Sequence, residues 1–428
     1  MKDIVAELNW RGLLNQTTGE PQLAAYLMEE PRSIYIGFDP TADSLHVGHL
    51  LQVMMLRRFQ RAGHRPIALV GGATGMIGDP SGKSDERNLL SMEVLQSNVA
   101  AVQKQLGRFL DFDSGPASAL LVNNFEWMGP FGFLEFLRDV GKHASVNTML
   151  GKDSVKSRLE RADGGLSYTE FSYMLLQAYD FVHLFDAHGC GVQAGGSDQW
   201  GNITAGIDLA RRMRSVQLHG LTCPLLVKSD GTKMGKTEGG ALWLDPHKTS
   251  PYKFYQYWIN LADADVGRCL RYLTDLEREA IEEIEARHAQ APEKREAQKC
   301  LASEVTRLVH GEEGLDSALR ATGVLFGAEI KSLMDAELAE IFADVPSREL
   351  SRDRLRGGGL PVADALLEAG LAKSKAEARR SLAQGGVYLN NRRVEDPETI
   401  LDLTALASET VMVLRVGKKN YALLRFPD

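Results

Sequence analysis

The 428-residue chain holds only four cysteines, Cys190, Cys223, Cys269 and Cys300, and no two of them form a C-x-x-C pair. That scatter excludes a disulfide framework and a cysteine-built zinc site, and it fits a reducing compartment. No apolar run approaches the roughly 20 residues that a membrane-spanning helix requires. The start, Met1-Lys2-Asp3-Ile4, has no basic stretch leading into an apolar core, and Arg-rich, acid-poor transit character is missing. The expectation is a cytoplasmic protein without a membrane partner. Positive charge is also short: the formal net charge of −8 does not by itself suggest a nucleic-acid partner. The deficit is uneven, because Lys and Arg exceed Asp and Glu by three from Ser351 onward, which leaves −11 on the rest. One glycine is absent where it would decide a motif. Asp79-Pro80-Ser81-Gly82-Lys83-Ser84 resembles a phosphate-binding P-loop, but G-x-x-x-x-G-K-[ST] needs glycine at 77, and that residue is Ile77.

What remains is ordinary for a globular protein of two or three domains, with 44% hydrophobic and 25% charged residues. In the first half, short apolar runs alternate with helical patterns. Strands are expected at 33–38, 66–71, 119–123, 191–195 and 221–227, with helices at 49–62 and 93–110 between them. Apolar strands alternating with helices imply an α/β fold with a parallel, doubly wound sheet. Ligands of such sheets sit beyond the carboxyl ends of the strands, where the segments 37–49, 71–83, 195–199 and 233–237 would converge. From about Pro251 the chain becomes helix-rich, and Arg356-Gly357-Gly358-Gly359 reads as a flexible linker. Beyond it a helix over 360–372, a second helix capped by Ser374, and two hairpins are expected, one turning at Asn390-Asn391 and one at Gly417-Lys418-Lys419-Asn420.

Two segments carry chemistry. Gly37-Phe38-Asp39-Pro40-Thr41 leads into His46-Val47-Gly48-His49 at a strand-to-helix junction, where free N–H groups and the helix dipole favour phosphate. His46 and His49 share one face of the first turn, and Gly48 between them allows a ligand near the backbone. No carboxylate or cysteine recurs at ligand spacing, so a metal site is not expected. The second segment, Lys233-Met234-Gly235-Lys236-Thr237, sets two lysines three apart in a loop after a strand. Such a loop can bring ammonium groups onto charge developing on an attacked phosphate. Tyr173, Gln177 and Asp180 recur at spacings of four and three, a polar stripe on an otherwise apolar helix.

Together these segments resemble the H-I-G-H and K-M-S-K-S signatures of class I aminoacyl-tRNA synthetases, with Gly235 and Thr237 as in the K-F-G-K-T variant of the tyrosine-charging branch. Tyr168 to Phe181 and Gly195 to Asn202 are similar to the bacterial members of that branch, and the resemblance runs from about residue 5 to the C-terminus. It implies a Rossmann-like catalytic domain over 1–225, the signature-loop region over 226–250, and a helical domain of the anticodon-binding type with a connector over 251–350. A linker over 351–359 and a small α+β S4-like RNA-binding domain over 360–428 would follow. It implies activation of tyrosine by ATP, Mg2+ accompanying the nucleotide without a dedicated protein site, and transfer to the 3′ end of a tRNA.

By the same resemblance, Tyr35 and Asp180 bind the phenolic hydroxyl, and Tyr173, Gln177 and Asp79 hold the α-ammonium. Gln199 sits near the carboxyl and α-phosphate. Thr41 and His46 meet the γ-phosphate side of ATP, and His49 and Asp198 face the ribose. Gly37, Asp39, Gly48 and Gly196 complete the ATP site. Lys83 and Arg87 join Lys233, Lys236 and Thr237 as catalytic groups on mobile loops. Ile36 stands where some members have a cysteine that reaches the ribose, so that contact is missing. Lys373, Lys375, Arg379, Arg380, Arg392, Arg393, Lys418 and Lys419 would contact tRNA phosphates, with Arg211 and Arg212 as further candidates. A homodimer is implied, with its interface in 125–160 around Phe131, Phe133 and Phe136. Two other readings share features: a tryptophan-specific relative, and a non-catalytic RNA-binding protein such as a splicing cofactor on the same scaffold. The Tyr35/Asp180 pair and the tail argue against the first. The intact histidines and lysines argue against the second.

Overall fold

The computed structural model describes residues 2–80, 90–113, 115–152, 155, 156, 159, 166–237, 240–325, 327–330, 333–343, 345–418 and 420–427. The chain divides into two compact units, Met1–Ser250 with Tyr257–Val309, and Pro251–Gln256 with His310–Asp428.

The first unit is built on a six-stranded sheet of β1 (Gln16–Thr17), β2 (Ser33–Phe38), β3 (Arg65–Val70), β4 (Leu120–Asn123), β5 (Cys190–Gly196) and β6 (His219–Cys223), in the order β1-β6-β5-β2-β3-β4. All neighbours are parallel except the short edge strand β1, which runs antiparallel to β6 and was not expected. From β2 the chain steps outward through β3 and β4, then returns to the other side of β2 for β5 and β6. The strand order therefore reverses between β2 and β5, and the crevice at their carboxyl ends is where an α/β sheet places a ligand. β5 is buried at every position and β3 at five of six, the pattern of strands covered on both faces. β6 stops at Cys223, short of the expected 227, because Pro224 has no N–H to give the ladder.

Two helices position the crevice residues. The helix Tyr168–His188 begins at a capping box: Ser167 Oγ accepts from Glu170 N at 3.2 Å, and Glu170 Oε2 accepts from Ser167 N at 3.4 Å. It ends at Gly189 with φ 61. Its apolar face packs Ala178, Phe181, Val182 and Leu184 against Tyr35, Ile67, Leu69 and Cys190. The helix Val47–Arg61 buries Leu50, Leu51, Val53, Met54 and Phe59.

The long helix Glu296–Leu325 begins in the first unit and breaks at Gly311, where the second has begun. Beyond it, a five-stranded sheet joins Arg392–Arg393, Val387–Leu389, Val411–Val416, Asn420–Arg425 and Ser347–Glu349 in that order. Both expected hairpins are present. Asn390 and Asn391 take φ 49 and 63, the left-handed pair that closes a two-residue turn. Ser374 caps Lys375–Ala383 through Glu377 N at 3.2 Å. The first helix of this region is shorter than expected, Val362–Glu368, because Leu360–Pro361 instead pair with Ile400–Leu401. Before it, Leu355 is 2% exposed and packs with Leu360, Val362 and Leu366. A separate core joins Ala321, Val324, Leu338 and Phe342 to Val411, Val413 and Leu423.

Among the described residues no helix is long and apolar enough to cross a membrane. Cys190, Cys223 and Cys269 are buried free thiols.

Candidate active site

A cavity of about 180 Å³ opens at the carboxyl ends of β2 and β5. Among the expected residues, Tyr35, Gly37, Asp39, Thr41, His49, Asp79, Tyr173, Gln177, Asp180, Asp198 and Gln199 line it. Ile36, the departure noted above, lines it too.

Its inner end is cross-bonded. Asp180, 1% exposed, accepts from Asn124 Nδ2 at 3.0 Å and from Trp127 Nε1 at 2.8 Å. Burial pushes its carboxyl up to about 7, against the pull of those two donors. Asn124 also donates to Thr74 Oγ1 at 3.0 Å, Thr74 donates to Asp39 Oδ1 at 2.9 Å, and Tyr173 Oη donates to Asp39 Oδ2 at 2.9 Å. Asp39, expected on the ATP side, is thus bonded to the tyrosine-side residues. Gln177 Nε2 donates to Gln199 Oε1 at 3.2 Å, and Gln199 Nε2 to Asp79 Oδ2 at 2.6 Å. Burial, and then the charge of Asp180, hold the Tyr35 phenol far above its ordinary value, so it stays a neutral donor. Within this network Tyr35 Oη, Gln177 Oε1 and Gln193 Oε1 are buried without a hydrogen-bond partner among the described residues. These three atoms line one cavity and are free to meet a polar ligand.

Asn124, Trp127, Thr74, Gln193 and Gln52 were not singled out from sequence. Asn124 and Trp127 lie more than 50 residues from Asp180 along the chain. Gln193 had one signal, as the single polar side chain of an otherwise apolar β5.

His49 lines the cavity and His46 beside it does not. His46 is the N-cap of Val47–Arg61: its Nδ1 accepts from Gly48 N at 3.0 Å, His49 Nδ1 accepts from His46 N at 3.2 Å, and the rings stack at 3.9 Å. Each Nδ1 is an acceptor, so in the neutral ring the proton sits on Nε2 and points a donor elsewhere. Gly48 leaves room for this cap, because a Cβ there would stand 2.8 Å from His46 Cε1. Gly196, expected among the ATP residues, ends β5, and a Cβ on it would meet the Asp198 carboxylate at 2.6 Å. Desolvation, and then the charge of Asp79, push the Asp198 carboxyl up, while Lys233 pulls it back.

The histidine segment is tied by backbone to residues 242–244, and Leu242 N in turn donates to Gly235 O of the lysine segment at 2.7 Å. Val47 N donates to Leu242 O at 3.0 Å, Leu244 N to Leu45 O at 2.9 Å, and His46 bridges Trp243. Gly235 has φ 77, and its Cβ position lies 3.0 Å from Val47 Cβ, so only glycine fits that turn against the helix start. Lys233 and Lys236 are exposed, and Thr237 follows Lys236 in a two-residue strand. Lys83, Arg87 and Lys419 lie outside the described residues.

Of the cations expected at RNA, Lys373, Arg379, Arg380, Arg393 and Lys418 are exposed. Lys375 pairs with Asp364 at 2.7 Å, and Arg392 pairs with Glu329. Arg211 and Arg212 pair with Asp208 at 2.6 and 2.8 Å. Of the three aromatics expected at an interface, Phe131 and Phe136 are half-buried and pack edge-on against Tyr179 at the margin of the core, whereas Phe133 is 67% exposed beside Leu134 at 78%.

Comparison with known proteins gives concordant results. Residues 28–327 match the family of tRNA synthetases class I (W and Y), and residues 337–424 match the tyrosine–tRNA ligase SYY-like C-terminal domain. The chain is 61% identical to a tyrosine–tRNA ligase of Rhodopirellula baltica over 99% of its length and 97% of the relative's. It is 53% identical to one of Geobacillus stearothermophilus over 99% of its length and 100% of the relative's. Among solved structures, a C-terminally truncated mitochondrial tyrosyl-tRNA synthetase of Aspergillus nidulans superposes with a TM-score of 0.69 at 34% identity, covering 76% of this chain and 95% of that one. A tryptophanyl-tRNA synthetase of Plasmodium falciparum, at 16% identity and a TM-score of 0.54, shares the fold.

Proposed function

The chain belongs to the class I tRNA synthetases (W and Y), and on that premise we propose that it is a tyrosine–tRNA ligase. It condenses tyrosine with ATP to tyrosyl-adenylate and pyrophosphate, then passes the tyrosyl group to the 3′ end of its tRNA. The observation that carries the reading is the inner end of the cavity, where the unpartnered Tyr35 hydroxyl and the buried Asp180 carboxylate are available to the phenol of a bound tyrosine. Such a pocket leaves its own polar groups unpaired against phenylalanine. The discrimination of about 10⁵ measured for tyrosine-charging enzymes is the source of that rule, and it is the expectation for this chain. Asp79, Tyr173 and Gln177 take the α-ammonium in a cavity ringed by carboxylates, which suits a cationic head group.

The reaction needs no protein nucleophile. The tyrosine carboxylate attacks the α-phosphorus in line, the bond to the bridging oxygen breaks, and pyrophosphate leaves with Mg2+. Gln199 aligns the carboxylate. Thr41 and the Nε2–H of His46 receive the γ-phosphate side, and His49 and Asp198 hold the ribose beside Gly37 and Gly196. Lys233 and Lys236, with Lys83, Arg87 and Thr237, stabilise charge that grows in the transition state. Residues 1–225 then act as the catalytic domain, 226–250 as the signature loop and 251–350 as the helical region. Residues 351–359 connect them to an RNA-binding tail over 360–428.

Lys373, Arg379, Arg380, Arg393 and Lys418 are the tail's exposed tRNA contacts, and Lys375, Arg392, Arg211 and Arg212 reach RNA by exchanging their present carboxylate partners. The chain works in the cytoplasm as a homodimer that buries Phe133 and Leu134, the most exposed large apolar side chains of the 125–160 region. Amino-acid-dependent ATP–pyrophosphate exchange across the twenty amino acids tests the reading. Exchange with tyrosine alone is expected. Exchange with tryptophan would assign the chain to the tryptophan-specific relatives, and none with any amino acid would favour the non-catalytic RNA-binding reading.

A further inference from the structure

The lysine segment is held from below by side chains outside both signatures. Residues 227–233 close on themselves: Val227 bridges Lys233, Lys228 N donates to Thr232 O at 2.7 Å, and Asp230 Oδ1 accepts from Thr232 N and Oγ1 at 2.8 and 2.6 Å. This small hairpin meets one face of the helix Asp263–Leu273 at Asp265, Arg268 and Cys269, positions i, i+3 and i+4. Asp265, 1% exposed, accepts from Ser229 N at 2.8 Å. Arg268 Nη2 donates to Asp265 Oδ1 at 2.8 Å and to Val227 O at 2.7 Å. Cys269 Sγ lies 3.6 Å from Sδ of the buried Met234. From the preceding helix, Tyr257 Oη accepts from Gly235 N at 2.8 Å.

We propose that Tyr257, Asp265 and Arg268 form a clasp that positions the lysine-bearing loop for adenylate formation, a role that rests on the ligase reading. Two backbone N–H groups, at 229 and 235, are fixed on either side of Lys233 by acceptors on a rigid helical platform, and the carbonyl of Val227 is fixed by Arg268. The ammonium of Lys233 is thereby carried to the rim where it bears on Asp198. Misplacement of a catalytic group by about 1 Å can cost about 10²-fold in rate. None of the three clasp residues lines the cavity, so tyrosine binding should be indifferent to them. They are positioning residues.

The test uses the full-length chain with Tyr257→Phe, which removes one acceptor at nearly constant volume, and Asp265→Asn, which weakens the charge-assisted bonds. Two readouts are taken: exchange kinetics with tyrosine, and the rate of trypsin cleavage after Lys233 and Lys236, mapped by mass spectrometry. The expected result is a fall in kcat of about tenfold with tyrosine KM within about twofold, and cleavage faster by about fivefold. Wild-type kcat and cleavage in both variants would overturn the clasp. So would a parallel loss of kcat, tyrosine KM and melting temperature, which marks a merely structural role. A wild-type protein without exchange counts against the ligase reading alone, because the cleavage arm reads the clasp without catalysis.

Discussion

The inner end of the cavity and the lysine-bearing loop are built in opposite ways. At the inner end every carboxylate is buried or bonded to a neighbour, and Tyr173, Asp39, Thr74, Asn124 and Asp180 form one continuous chain of hydrogen bonds. Lys233 and Lys236, which do not line the cavity, are exposed and belong to a loop held by a few anchors. The difference separates two kinds of work. On the proposed function, the desolvated end would recognise the amino acid in its ground state, whereas the exposed cationic loop would favour the charge that appears only as the phosphate is attacked.

That contrast breaks most visibly away from the inner end. His46→Ala or Lys233→Ala should lower kcat for exchange by about 10²–10³-fold with tyrosine KM little changed. Equal losses in both parameters, measured by steady-state kinetics, would erase the distinction. At the inner end Asp180→Asn should lower the preference for tyrosine over phenylalanine by about 10–100-fold, from paired exchange assays, while kcat for tyrosine falls less.

The pH response sharpens the same point. The Asp180 carboxyl titrates near 7 in the fold and near 4 when unfolded, so between these values the folded chain holds a proton that the unfolded chain has released. Stability therefore falls as pH rises through that window, by about 4 kcal/mol once Asp180 is charged. Two outcomes follow: Asp180→Asn melts higher than wild type at pH 8, and wild-type tyrosine KM rises about tenfold from pH 8 to pH 6. A flat KM profile would detach Asp180 from the phenol. The smallest effect is expected for Gly235→Ala, which strains a positive φ against Val47 by about 1–2 kcal/mol. Its exchange rate should drop a few-fold without altering the phenylalanine preference.

Much of this was legible in the chain because it is written in local spacing. Tyr173, Gln177 and Asp180 share a helical face, the histidines begin a helix, and the apolar runs that make β2, β3 and β4 end within a residue of expectation. What was not legible is tertiary. Nothing in Asn123-Asn124-Phe125-Glu126-Trp127 announces that two of its side chains grip a carboxylate on a distant helix.

The strand Ser347–Glu349 runs parallel to Asn420–Arg425 as the edge of the C-terminal sheet, and the core around Leu338 and Phe342 is completed by Val411, Val413 and Leu423. The residues on the two sides of the glycine stretch therefore belong to one compact unit. A protease cut or stop codon at Arg356 would not release a tidy tail. It would bare a sheet edge and half a core, and the remnant should aggregate or unfold locally. The natural seam for separating the two halves of this molecule lies upstream, near the helix break at Gly311.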